Sequence, residues 1–181
     1  MKKIFKIGDL IVYGGTGVCR VTDISVCDIS GKYEDQLFYT FRPLCQDCII
    51  SIPVNTTKVF MRPIISKDEA NRLIDMIPTI QAEAYHNPIS NELIKHYETL
   101  LNTHDCMELI ELVMSLYAKK QYMKENNRKF GAVDSRFMKR AEESLFGEFA
   151  AALEIPKESV PAYIAERIGE ETGLDLNESV K

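Results

Sequence analysis

The chain changes its hydrophobic period once. Over the first 65 residues short apolar runs alternate with turn signals: Leu10-Ile11-Val12-Tyr13, the glycine-rich residues 14–17, residues 18–26, a turn at Ser30-Gly31-Lys32, then residues 36–41. Residues 42–47 lead into Ile49-Ile50-Ser51-Ile52-Pro53-Val54, and Val59-Phe60-Met61 offers one more strand. β-branched and aromatic residues bounded by Gly, Asp, Asn and Pro predict a small antiparallel sheet curled into a barrel. Pro53 suits a strand end or an edge, because it has no N–H to give to a ladder.

From Ser66 the period becomes helical. Ser66-Lys67-Asp68-Glu69 is a capping-box pattern, followed by Leu73, Ile74 and Ile77 at helical spacing. Asp105 to Glu108 repeats the cap ahead of Leu109, Leu112, Val113, Leu116 and Tyr117, one apolar face of a long helix. Phe137, Ala141, Leu145, Phe149, Ala152 and Leu153 mark another; residues 90–101 predict a shorter one, and Pro161 opens a last one ending near Gly169. The expected class is α+β. A β module (residues 1–65) precedes an all-α module (66–169), with the junction around residues 62–67 and a frayed acidic tail at 170–181.

Charge sharpens this division. Net charge is -5 over 181 residues, which argues against a chain that coats nucleic acid along its whole length. Residues 119–140, however, hold eight Lys/Arg against two Asp/Glu, a net +6 within an otherwise acidic C-terminal half. The island is Lys119, Lys120, Lys124, Arg128, Lys129, Arg136, Lys139 and Arg140. Cations near a helix C-terminus complement its dipole, but six net charges exceed what capping needs. A few phosphate contacts, salt-sensitive and indifferent to sequence, are the functional expectation.

Other chemistry is thin. No signal-peptide core or membrane span is expected, and five cysteines without a secretion signal point to free thiols in a reducing cytoplasm. Cys45-Gln46-Asp47-Cys48 has the spacing of half a zinc knuckle, yet Cys19 and Cys27 lie eight residues apart in one predicted strand and are no second pair. The histidines His86, His96 and His104 are scattered among polar residues, with no ligand-like offset. No Gly-x-Ser-x-Gly setting occurs, and Tyr13-Gly14-Gly15-Thr16-Gly17-Val18-Cys19 lacks the Lys and the following helix of a phosphate loop. That loop reads as a turn whose glycines take positive φ. Catalysis, cofactors and small-molecule substrates are not expected.

Phe5-Lys6-Ile7-Gly8-Asp9-Leu10-Ile11-Val12-Tyr13, followed by a short turn and Gly17-Val18, resembles the opening of the CarD/CdnL family of bacterial transcription regulators. The family's β module is shared with the RNA-polymerase-interacting domain of transcription-repair coupling factor. The likeness continues at Ile50-Ser51-Ile52-Pro53-Val54, Tyr97-Glu98-Thr99-Leu100-Leu101, Arg140-Ala141-Glu142, Leu145-Phe146-Gly147-Glu148-Phe149-Ala150 and Ile155-Pro156-Lys157-Glu158. Running from about residue 4 to 168, it implies a full-length regulator and not a repair translocase.

The resemblance implies a Tudor-like barrel that docks on the β subunit of RNA polymerase, and a helical domain that touches promoter DNA at the upstream edge of the melted bubble. Such proteins tune open-complex stability without chemistry of their own. Docking by strand addition would use Val26, Cys27, Asp28 and Ile29 or Ile49, Ile50, Ser51, Ile52 and Pro53. The chain departs from the family where Ser51 replaces an interface Arg, where Cys27 stands near a second, and where a wedging Trp would fall near Ser90. On the DNA side Lys95 fits a basic position of the family's helix, beside Glu92 and Leu93. Weak DNA contact is therefore expected from Lys95 and the 119–140 island, with Tyr97 placed in the core. The rival expectations are a protein adaptor that leaves DNA alone and a small zinc protein using Cys45 and Cys48.

Overall fold

The computed structural model describes residues 5–26 and 36–169. The expected turn at residues 30–32, the positions Cys27, Asp28 and Ile29, and the acidic tail from residue 170 lie outside the described residues. The chain divides into two compact units, Met1–Ile64 and Ile65–Lys181.

The first unit is a five-stranded antiparallel sheet: β1 (Leu10–Tyr13), β2 (Gly17–Val26), β3 (Leu37–Pro43), β4 (Ile50–Pro53) and β5 (Met61–Pro63), hydrogen-bonded in the order β4-β3-β2-β1-β5. The alternation read from the sequence sends Phe5, Ile11, Cys19, Val21, Tyr39 and Phe41 into one core. Tyr39 stacks on Phe41 with centroids 5.5 Å apart, and its hydroxyl accepts the Phe5 N–H at 3.0 Å. A buried aromatic with its polar tip satisfied stabilises by about 1.5–3 kcal/mol over an exposed one. The β2–β3 register shifts between Val21 and Asp23, and the extra residue Thr22 donates its hydroxyl to the Thr40 carbonyl at 3.1 Å. Such a bulge increases local twist.

The glycine loop is a turn, as its composition predicts. A single 3-10 turn, Gly14–Thr16, joins β1 to β2. Gly17 sits at φ 91°, ψ -148°, a conformation essentially closed to L side chains. A Cβ at Gly14 would come within 3.0 Å of Val59 Cγ1, and its N–H donates to the Phe60 carbonyl at 2.9 Å, pinning the turn to the approach to β5.

The second unit holds α1 (Lys67–Met76), α2 (Ser90–Leu101), α3 (Cys106–Glu125), α4 (Ala132–Leu153) and α5 (Val160–Ile168). The N-cap half of both expected capping boxes forms: Ser66 Oγ accepts from Glu69 N at 3.1 Å, and Asp105 accepts from Met107 N at 2.8 Å. The Glu69 carboxylate engages Arg72 at 2.6 Å. Pro161 lies in the first turn of α5, where a missing N–H costs nothing. The apolar faces of all five helices meet in one core that includes Leu73, Ile74, Leu112, Leu116, Phe137, Phe149 and Ile164.

Polar groups inside this core are the part the periodicity did not announce. Glu148 Oε1 accepts from Ile65 N at 3.0 Å, and Oε2 from Cys106 Sγ at 3.2 Å. Lys119 and Asp134 form an ion pair at 2.8 Å with both side chains almost wholly buried. No buried side-chain nitrogen or oxygen lacks a partner among the described residues.

Candidate functional site

β4 is held by β3 on one side, and among the described residues no strand lies on the other. Its pairing is Phe38 with Pro53, Tyr39 with Ile52, Thr40 with Ser51 and Phe41 with Ile50, and Val54 N donates to the Leu37 carbonyl at 2.9 Å. In an antiparallel ladder, hydrogen-bonded and non-hydrogen-bonded pairs alternate. With Val54 bonded to Leu37, Ile52 and Ile50 also turn their backbone groups toward β3. Ser51 N–H and C=O and the Pro53 carbonyl then point outward. Pro53 therefore costs the ladder nothing, because its missing N–H falls on the open side.

Side chains divide in the same way. Ile50, Ile52 and Val54 pack against the sheet core, while Ser51 is exposed. Ile49 is 63% exposed, and the cross-strand pair Val26 and Leu37 is exposed at 58% and 47%. An open backbone edge with solvent-facing apolar residues beside it is what strand addition by a partner requires. Of the sequence-predicted docking residues, Ile50 to Pro53 form the β4 edge and Ile49 directly precedes it, whereas Val26 ends β2, an interior strand, with its side chain exposed.

The basic residues separate into two kinds. Lys95, Lys124, Arg128, Lys129, Arg136, Lys139 and Arg140 are exposed. Arg136 and Arg140, one turn apart on α4, hold their guanidinium carbons 5.0 and 5.3 Å from the Phe137 ring centroid. Ring contact orders both side chains while leaving their N–H groups to solvent. Lys120 is half-buried and near enough to Glu142 to favour its charged form. Burial is the larger influence on Glu142 and raises its carboxyl above the ordinary value, although the Tyr117 hydroxyl donates to it at 2.9 Å.

Lys119 is a correction to the expected DNA-contact set. Its ammonium lies inside the helical core, donating to Asp134 Oδ1 at 2.8 Å and to the Tyr97 hydroxyl at 3.4 Å. Tyr97 in turn donates to Asp134 at 2.8 Å. Burial, then the Asp134 hydrogen bond and charge, push the Tyr97 phenol far above its usual value. An ammonium committed to a desolvated carboxylate cannot also meet a phosphate, so Lys119 serves packing. Tyr97 is core, as its spacing predicts.

Two exposed apolar side chains escaped the sequence reading. Ile89, 60% exposed, is the N-cap of α2, and Tyr122, 45% exposed, lies in the last turns of α3 edge-on to His86 at 5.0 Å. Their signal is position: each falls off the apolar stripe of its helix. His96 stacks on Tyr85 at 3.8 Å, and burial lowers its imidazole below the ordinary value.

Among the described residues no three His, Cys, Asp or Glu side chains are placed to hold one ion. Cys19 is buried while Cys45 and Cys48 are exposed. Burial first, then the nearby Cys48 and Cys45, pushes the Cys19 thiol up to about 11. No helix among the described residues is long and apolar enough to cross a membrane.

No curated protein matches the chain. The family model for the CarD-like/TRCF RID domain matches residues 5–65, a span holding the five described strands, β4 among them. This family is a non-catalytic protein-interaction domain of RNA-polymerase-interacting, transcription-related proteins. Over residues 5–65, then, the chain is similar to the CarD-like/TRCF RID domain family.

Proposed function

We propose that this protein is a non-enzymatic transcription regulator that binds the RNA polymerase β subunit by strand addition to β4 and contacts promoter DNA through its helical unit, modulating open-complex stability. The single observation carrying the docking half is the outward-facing Ser51 backbone on an edge that belongs to the matched domain. Each backbone hydrogen bond from a partner strand contributes about 0.5–1.5 kcal/mol net. Ile49, Leu37 and Val26 add apolar contact at the rim.

On the DNA side, the exposed cations at Lys95, Lys124, Arg128, Lys129, Arg136, Lys139 and Arg140 supply weak, salt-sensitive phosphate contact. Ile89, solvent-facing at the start of α2, offers an apolar wedge for an unstacked base step in a chain without tryptophan.

Ser51→Pro is the sharpest test of docking. It removes an N–H that the β3 ladder does not use and puts a ring in the path of an added strand. Capture of the β subunit should fall at least about tenfold with folding unchanged, since losing the edge costs more than about 1.4 kcal/mol. Unchanged capture overturns strand addition at β4. Binding to a forked promoter fragment across a salt series tests the other half: steep loss with salt supports DNA contact, and no binding at low salt leaves the protein an adaptor.

A further inference from the structure

The loop from β3 to β4 carries Cys45 and Cys48, both exposed, on a backbone that bends through residues 44–47. Its upstream end is fixed where Leu44 N donates to the Val18 carbonyl at 3.0 Å, and its downstream end where Ile50 pairs with Phe41. Cys45 lies in the bend and Cys48 directly follows it, so two solvent-facing thiols stand three residues apart across a turn of the chain, with Cys48 Sγ 3.9 Å from Gln46 Oε1. The third thiol nearby, Cys19, is wholly enclosed in the sheet core and held close to the Gly17 carbonyl at 3.7 Å. It is sterically withdrawn from exchange, so it cannot compete for either partner.

We propose that Cys45 and Cys48 form a reversible disulfide site whose closure tightens the loop leading into β4. The co-reactant is a low-molecular-weight disulfide such as glutathione disulfide. One thiol of the pair, as thiolate, attacks a glutathione sulfur, breaking that S–S bond and releasing one glutathione thiolate. The second thiolate then displaces the other glutathione from the mixed disulfide. The protein dithiol is oxidised by two electrons, glutathione disulfide is reduced to two glutathione thiols, and the two thiol protons end on them. An exposed disulfide in so short a loop belongs to the labile, exchangeable class.

Closure restricts the segment immediately before Ile50, and the effect falls on the strand edge itself. The inward N–H groups of Ile50 and Ile52, bonded to β3, should open less often. The outward Ser51 N–H has no ladder bond and is the internal control.

The test uses the full chain, without any partner, and so does not depend on the docking reading. Exposure to glutathione disulfide should lower the intact mass by two hydrogens, with peptide mapping joining Cys45 to Cys48 and dithiothreitol restoring the original mass. Cys45→Ser and Cys48→Ser should each stop at the mixed glutathione adduct. Amide exchange at Ile50 and Ile52 should slow several-fold on closure while Ser51 stays fast. An unchanged mass, a wild-type product that stops at the adduct, or a bridge through Cys19 overturns the site. Closure with unaltered exchange at Ile50 and Ile52 overturns its coupling to the edge.

Discussion

Replacing Lys119 by Ala separates a structural lysine from a phosphate-binding one. The side chains of Lys119 and Asp134 are 4% and 6% exposed and 2.8 Å apart. Truncating the lysine leaves the Asp134 carboxylate in the core with the Tyr97 hydroxyl as its remaining described donor. Removing one member of a buried pair costs about 3–5 kcal/mol, because the survivor keeps its desolvation penalty without compensation. Domains of this size hold only about 5–15 kcal/mol in total, and each kcal/mol shifts Tm by about 4–8 °C. The helical unit of Lys119→Ala should therefore melt on the order of 20 °C below wild type, read by far-UV circular dichroism, which the five helices dominate. The double variant Lys119→Met with Asp134→Leu should recover much of the loss, since an apolar replacement removes both charges together. A penalty below about 1 kcal/mol for Lys119→Ala would mean that the ammonium is solvated, refuting the assignment to packing and returning the residue to the basic surface.

Three further outcomes follow from other features. Lys124→Ala and Arg128→Ala should leave Tm within about 1 °C of wild type and each reduce the slope of log affinity against log salt for promoter DNA by about 1, measured by fluorescence anisotropy; unchanged slopes in both remove the basic face from DNA contact. Gly17→Ala forces a Cβ into φ 91° and should cost the β unit about 1–3 kcal/mol in urea unfolding followed by tyrosine fluorescence, a neutral result meaning that the turn relaxes. For His96, burial favours the neutral ring in the folded state, so as pH falls the unfolded chain takes its proton first. Its contribution is complete above the ordinary value of 6.5 and is lost as pH drops from there through the lower folded value, and His96→Gln should flatten that part of the stability profile, seen by thermal melts across mildly acidic pH.

What the sequence disclosed was mostly periodic or local. Alternation placed Ile11, Val21, Tyr39 and Phe41 on one face, and the caps at Ser66 and Asp105 each depend on residues within one turn. Pro53 marked an edge strand because a missing N–H has few tolerable positions. What stayed hidden depends on long-range meetings of polar groups. Lys119 and Asp134 are on different helices, and nothing in a run of basic residues distinguishes the one that faces inward. The same holds for Glu148, which meets Ile65 and Cys106 across 83 and 42 residues of chain. A charge count therefore overstates the basic surface by the members the core consumes.

The carboxylate of Glu148 has a mechanical consequence. It accepts the backbone N–H of Ile65, the first residue of the helical unit, from the C-terminal third of α4, the longest helix among the described residues. Any load entering along the chain from residue 64 is handed to α4 at that point, before it can lever open the first turn of α1. Tension is thus shared by α4 through one hydrogen bond of 3.0 Å, and a pull on the chain at residue 64 arrives at α4 as displacement instead of being spent in fraying.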